Sequence, residues 1–237
     1  MKTMLYGIRV QLKMDIRSKT LLVTCYVVPL LFFAIMGGIF TSLMPEAKHT
    51  LIQSMTVMGV SMGALIGVPP SMIEVYSTDI KKMYIANGIP LCFGVIALVV
   101  SAFIHLMIMS IIIFALAPIV FHATIPSNIP LYFITLALFV IVSLTISCVL
   151  GLAVKNQAKL TMYSQVVFLP SIMLSGIMFS AELLPNFLES MGKLFPATWG
   201  YTLLIQKNIE VSTFIPLVFI LIISVFVSVQ LLSLIHI

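Results

Sequence analysis

His105 is the one ionisable side chain near the middle of a long apolar run of this sequence. In hydrocarbon such residues are costly, and they often relay protons or contact a transported molecule. A neutral imidazole can also satisfy both ring nitrogens against neighbouring helices, and Ser101 and Ser110 share its run. His105 is therefore either part of a transport path or a packed structural residue.

Small polar side chains recur in two later apolar runs and could continue such a path. Serine and threonine serve ordinary helix–helix packing equally well, so both interpretations stay open. The path that the sequence predicts consists of His105, Ser143, Ser147, Gln165 and Ser175.

Motifs of covalent chemistry are missing from the sequence. It has no GxxxxGK[ST] phosphate loop, no HExxH or GxSxG motif and no cluster of metal ligands. Cys25, Cys92 and Cys148 lie in apolar runs without CxxC spacing, which indicates neither disulfides nor a zinc site. We therefore expect a protein that is not an enzyme and that itself holds no cofactor or metal.

The composition is that of a membrane protein. The 237 residues are 61% hydrophobic and 8% charged, whereas soluble domains are about 45–50% apolar. The net charge of +5 does not come from a soluble basic domain, so nucleic acid is not an expected partner. A bilayer-spanning helix needs about 20 apolar residues. Six runs qualify: Leu21–Leu43, Leu51–Ile73, Leu91–Ala117, Leu131–Val154, Met162–Ala181 and Thr213–Leu231. The sequence thus predicts an all-α integral membrane protein with one domain, residues 1–237.

Basic residues are distributed unevenly between the two sides that six spans would define. If the N-terminus lies inside, segments 1–20, 74–90 and 155–161 hold nine of the twelve Lys and Arg residues. Short loops rich in Lys and Arg stay in the cytoplasm. We therefore predict that both termini are cytoplasmic, and the abundance of Ile, Met and Lys favours a bacterial plasma membrane.

The residues before the first span have a basic amphipathic pattern. Leu5, Ile8, Leu12 and Ile16 recur at three- and four-residue spacing, and the basic residues occupy other faces. This pattern predicts a helix that lies in the membrane interface. A plain cytosolic leader is the alternative.

The segment Glu74–Pro90, EVYSTDIKKMYIANGIP, is charged and lies between two apolar spans. It is too short and too polar to cross a bilayer. Its helical spacing would let an apolar ridge enter a groove on a partner while the lysines set the orientation. A solvated loop is the alternative. The residues that we assign to this docking helix are Glu74, Ile80, Lys81, Lys82, Met83 and Tyr84.

The segment that precedes the last span, residues 181–212, is too apolar for a simple extracellular loop. Pro185 and Pro196 interrupt its helical pattern. We predict two short helices that dip into the outer leaflet as a re-entrant segment, with Trp199 at the headgroup level.

The last six residues, LSLIHI at 232–237, contain no basic residue that would end membrane insertion. They also match one reading frame of a widely used sequencing adapter. We expect the native chain to continue past Leu231, and a native hydrophobic terminus is the alternative.

The layout of these elements, over essentially the whole chain, resembles the membrane permease of type-2 ABC transporters. Four local stretches strengthen the resemblance. The first is the charged segment with Glu74, Lys81, Lys82 and Pro90. The others are Leu174-Ser175-Gly176, Leu184-Pro185, and Phe195-Pro196 with Trp199. The sequence departs from the family pattern at Thr78 or Asp79, where many members have glycine, and at Phe195, where asparagine is usual. The arginine often found after Pro196 is also missing.

The resemblance implies an exporter that works as a dimer with a second copy or a paralogue. The segment Glu74–Pro90 would be the coupling helix, seated in a cytosolic ATP-binding cassette ATPase that binds ATP and Mg. The cargo would be a drug, a peptide, a glycan or an ion. An ATPase-independent membrane protein is the alternative: a secondary transporter, although these normally have buried acids in their spans, or an immunity or scaffold subunit.

Overall fold

The computed structural model describes residues 2–76, 79–178, 184–206 and 210–235, and within these ranges all regular secondary structure is helical. A short 3-10 turn, Pro45–His49, joins α2 to α3. In chain order the helices are α1 (Lys2–Arg17), α2 (Lys19–Leu43), α3 (Leu51–Tyr76), α4 (Asp79–Ala86), α5 (Cys92–Phe121), α6 (Ile129–Ala153), α7 (Gln157–Met173), α8 (Asn186–Gly192), α9 (Pro196–Ile205) and α10 (Val211–Ile235).

Five of the described helices are long and apolar enough to cross a membrane: α2, α3, α5, α6 and α10. A sixth spanning helix at Met162–Ala181 is not confirmed, because α7 has 17 residues and ends at Met173. At 1.5 Å per residue, 17 residues rise about 26 Å, somewhat less than a hydrocarbon core. Ala181 itself lies outside the described residues.

Helix α3 forms the centre of the bundle. In its most apolar window 89% of the residues are buried, compared with 22% in α2 and 11% in α10. A helix that is apolar on all sides is stable only when other protein surrounds it or lipid does. Helices α2, α5, α6, α7 and α9 pack against α3. The outer surfaces of α2 and α10 are left to face lipid or another chain.

Helix α1 packs beside the first turns of α5. Gly7 lies so close to Phe93 that a side chain in its place would overlap the ring. Asp15 lies eight residues after Gly7, and Ser101 lies eight residues after Phe93. The Ser101 hydroxyl donates a hydrogen bond to the Asp15 carboxylate. Of the predicted apolar row, Leu5 and Ile16 are exposed. The helix is confirmed as an element, and its position in a membrane interface remains a prediction.

Candidate functional site

The short helix α4 begins soon after α3 and has a well-defined C-terminal cap. The amide of Ile89 donates to the carbonyl oxygen of Tyr84 at 2.8 Å, and the amide of Gly88 donates to that of Ile85 at 3.1 Å. This pair of bonds requires a left-handed residue, and Gly88 supplies it with φ of 64°. Pro90 follows at once, so the sequence NGIP stops the helix.

Two tyrosines fasten the base of α4 to the bundle. The Tyr76 hydroxyl donates to the carbonyl oxygen of Leu91, which ties the end of α3 to the start of α5. The Tyr84 ring meets the Phe93 ring edge-on, with 6.5 Å between centroids. Burial in this contact raises the pKa of the Tyr84 phenol, since the charged form would lose hydration. Both tyrosines can approach α5 here because Gly94 has no side chain.

Apolar side chains on other sides of α4 are exposed. Met83 is 61% exposed and Ile85 is 55% exposed, and Ile80 is exposed beside them. Lys82 is exposed and Lys81 is half-buried. Ile85 lies about 200° around the helix from Met83 and is exposed on a separate side, which sequence reasoning missed, whereas Tyr84 turns inward.

The remaining residues of the predicted docking segment lie at its start. Glu74 is exposed at the end of α3. Thr78 lies outside the described residues, and so does the side chain of Asp79. Three- and four-residue spacing from Ile80 selects Met83 and Tyr84 and passes over Ile85. The contact of the Tyr84 ring with Phe93 shows that Tyr84 turns inward.

The residues of the predicted path are spread over three parts of the bundle. Ser143 and Ser147 lie one turn apart on α6, both buried, and their hydroxyl oxygens have no hydrogen-bond partner among the described residues. Ser175 is buried just after α7, where its hydroxyl donates to the carbonyl oxygen of Ile172 at 2.8 Å. Gln165 lies on the exposed side of α7. These four side chains do not form one cluster with His105, and their role in a path stays a prediction.

His105 belongs to a buried polar cluster that the sequence did not predict. Its Nδ1 lies 2.7 Å from the Tyr26 hydroxyl of α2, and its Nε2 is buried without a partner in the described chain. One turn away, Ser101 donates to a carboxylate oxygen of Asp15, which is 5% exposed. The other carboxylate oxygen accepts from Gln11 at 2.8 Å. Asp15 is the one acidic residue before Glu46, and that isolation in a basic helix was the available signal.

The segment before the last span forms α8 and α9. Pro185 precedes α8, and Pro196 opens α9, where proline is well tolerated. The Trp199 indole donates to the carbonyl oxygen of Lys193 at 2.7 Å, which closes the corner between them. Helix α9 packs among α3, α6 and α10, and Gly200 lets it meet the Phe139 ring. Glu182 and Leu183 lie outside the described residues.

Comparison with known families agrees with this architecture. Residues 6–209 match the family model described as ABC-2 type transporter. No curated protein matches the sequence. The match covers most of the chain, from α1 through α9, and includes the predicted docking segment and the segment before the last span. The chain therefore belongs to the ABC-2 type transporter family and is a multi-pass membrane component of transport.

Proposed function

We propose that this chain is the permease subunit of an ATP-binding cassette exporter and that α4 docks into a separate cytosolic ATPase. The observation that carries the proposal is the exposed pair Met83 and Ile85 on a capped helix in the family's transport domain. Apolar side chains this exposed outside the spans favour a protein partner. ATP and Mg would bind to that ATPase.

The base of α4 supports a mechanical role. Tyr84 packs on Phe93 at the start of α5, and Phe93 in turn packs on Gly7 of α1. A push on α4 would therefore reach two other helices through packed side chains, without passing through a flexible loop. ATP-driven movement of the ATPases would in this way change the packing of the spans.

A second copy of the permease, or a paralogue, would complete the transport path. Gln165 is exposed on α7 among apolar neighbours such as Val166, which is 61% exposed. An amide facing lipid tails is unfavourable, so a protein or water-filled surface suits it better. We place both termini in the cytoplasm and the complex in a bacterial plasma membrane, exporting a drug, a peptide, a glycan or an ion. The corner of α8 and α9 would form the outer, re-entrant part.

Co-purification with the ATPase tests the docking proposal. The tagged chain is co-expressed with each ATP-binding cassette ATPase of its source genome in turn, as wild type and with Met83→Asp and Ile85→Asp combined. Burying two carboxylates without partners is costly, so we expect captured ATPase to fall by at least roughly tenfold. Tyr84 is left unchanged because it holds α4 on the bundle.

Phe187→Asp is the matched control, because Phe187 is 72% exposed on α8, at the other end of the bundle. It should capture the ATPase as the wild type does. Equal capture by the double variant would refute docking through α4. A folded wild-type chain that captures no ATPase would favour the ATPase-independent alternatives.

A further inference from the structure

A stripe of three basic side chains runs along α1. Arg9, Lys13 and Arg17 follow one another at four-residue spacing, which places them on one side of the helix. All three are exposed. None of them forms an ion pair with another side chain that the structure describes. This α1 stripe therefore presents positive charge without a counter-charge from the described chain.

The one acidic residue of α1 points away from the stripe. Asp15 lies about 160° around the helix from Lys13 and from Arg17. Its carboxylate is buried and accepts hydrogen bonds from Ser101 of α5 and from Gln11. Helices α2 and α5, which pack against α1, contain no acidic residue. The anion that balances the stripe must therefore come from another molecule.

Exposed apolar side chains lie on both sides of the α1 stripe. Leu5 is 73% exposed, and Ile16 is exposed on the same side of the stripe. On the other side, Met14 is 56% exposed and Val10 is exposed beside it. A soluble anion would leave these side chains in water. A surface that offers phosphate groups with hydrocarbon directly beside them suits both parts of the pattern.

The position of α1 along α5 agrees with such a surface. Helix α5 has 30 residues and rises about 45 Å, whereas the hydrocarbon core of a bilayer is about 30 Å thick. Part of α5 therefore extends into the headgroup region. The contacts of Gly7 with Phe93 and of Asp15 with Ser101 place α1 along the N-terminal end of α5. The stripe can therefore lie at the level of the lipid phosphates.

We propose that the α1 stripe binds the phosphate groups of anionic phospholipids while the flanking side chains contact their acyl chains. The two guanidinium groups can each donate two parallel hydrogen bonds to a phosphate, and Lys13 adds a compact positive charge. This site does not involve α4, so its failure and a failure of ATPase docking are distinguishable.

A fluorophore beside the stripe tests lipid binding. Met14→Cys is made in a Cys92→Ser background, in which Cys25 and Cys148 are buried, and is labelled with a nitrobenzoxadiazole dye. The full chain is placed in phosphatidylcholine nanodiscs with a small fraction of spin-labelled phosphatidylglycerol or spin-labelled phosphatidylcholine. Each cation near an anionic surface strengthens association by about fivefold. We therefore expect quenching that corresponds to an enrichment of phosphatidylglycerol of at least about fivefold.

Neutralising the stripe should remove this preference. With Arg9→Gln, Lys13→Gln and Arg17→Gln combined, the two spin-labelled lipids should quench the dye equally. Raising the salt from about 0.1 M to about 1 M shortens the Debye length from about 10 Å to about 3 Å, so it should weaken the preference of the wild type. The melting temperature of the variant should match that of the wild type, because the three side chains are exposed. This readout separates lost binding from misfolding.

The matched control removes the same charge elsewhere, with Lys48→Gln, Lys155→Gln and Lys159→Gln combined. It should keep the preference for phosphatidylglycerol. Equal quenching by the two lipids in the wild type would overturn the proposal and would assign the stripe to an acidic protein surface. A preference that survives in the stripe variant would overturn it as well. So would an equal loss in the control, because the preference would then come from the overall charge of the chain.

Discussion

At the scale of single residues, the buried polar groups of this chain are joined across long sequence distances. Asp15 lies in a helix that is basic and amphipathic by pattern, yet its carboxylate is buried against Ser101 of α5. Such a group is stable inside a protein only with hydrogen-bond donors, and Gln11 and Ser101 supply them. The contact joins α1 to a spanning helix.

Replacing Asp15 by Ala should destabilise the protein. The Ser101 hydroxyl would lose its acceptor while remaining buried, which costs about 1–3 kcal/mol. Thermal unfolding of the purified chain in detergent is the measurement, and a lower melting temperature is expected. Glu46→Ala is the matched control, because that side chain is 94% exposed. Equal melting temperatures for both variants would show that the contact with Ser101 contributes nothing.

At the scale of elements, backbone conformation determines where α4 ends. The signal NGIP predicts a stop, and the structure shows the pair of capping bonds around Gly88. No atom lies within 4 Å of the place where a methyl group on Gly88 would be. The requirement for glycine there comes from its positive φ and not from crowding.

Gly88→Ala should therefore loosen the end of α4 through the backbone alone. A left-handed alanine costs about 1–2 kcal/mol. Amide hydrogen exchange at 84–91 should accelerate by roughly 5- to 30-fold, as measured by mass spectrometry on the chain in nanodiscs. The control is Gly38→Ala in α2, where the new methyl group would lie 3.9 Å from Phe121, an ordinary contact. Unchanged exchange at 84–91 would mean that the cap does not hold the helix end.

At the scale of the whole molecule, the five long apolar helices of the described residues include one that is buried and two that are largely exposed. Helix α3 is surrounded, whereas α2 and α10 present apolar side chains outward. That distribution is expected of a chain that meets lipid or a second copy. The predicted orientation places α4 in the cytoplasm and α8 outside, since most basic residues share the side of α4.

Cysteine labelling tests this orientation. In a Cys92→Ser background, with Cys25 and Cys148 buried, single variants Met83→Cys and Phe187→Cys are treated with a membrane-impermeant maleimide. Phe187→Cys should react in intact cells, and Met83→Cys should react only in inverted vesicles. Reaction of both from the same side would contradict the assigned topology.

The sequence by itself was sufficient for the membrane class, the family, five of the six predicted long apolar helices and the stop of α4. These depend on apolar run length, charge and short motifs, which act over one or two helical turns. The tertiary structure was needed to show that Tyr84 turns inward while Ile85 is exposed, and that Asp15 meets Ser101. These outcomes depend on which helices pack together, and two residues far apart in sequence become partners only when the packing of the bundle excludes water from both.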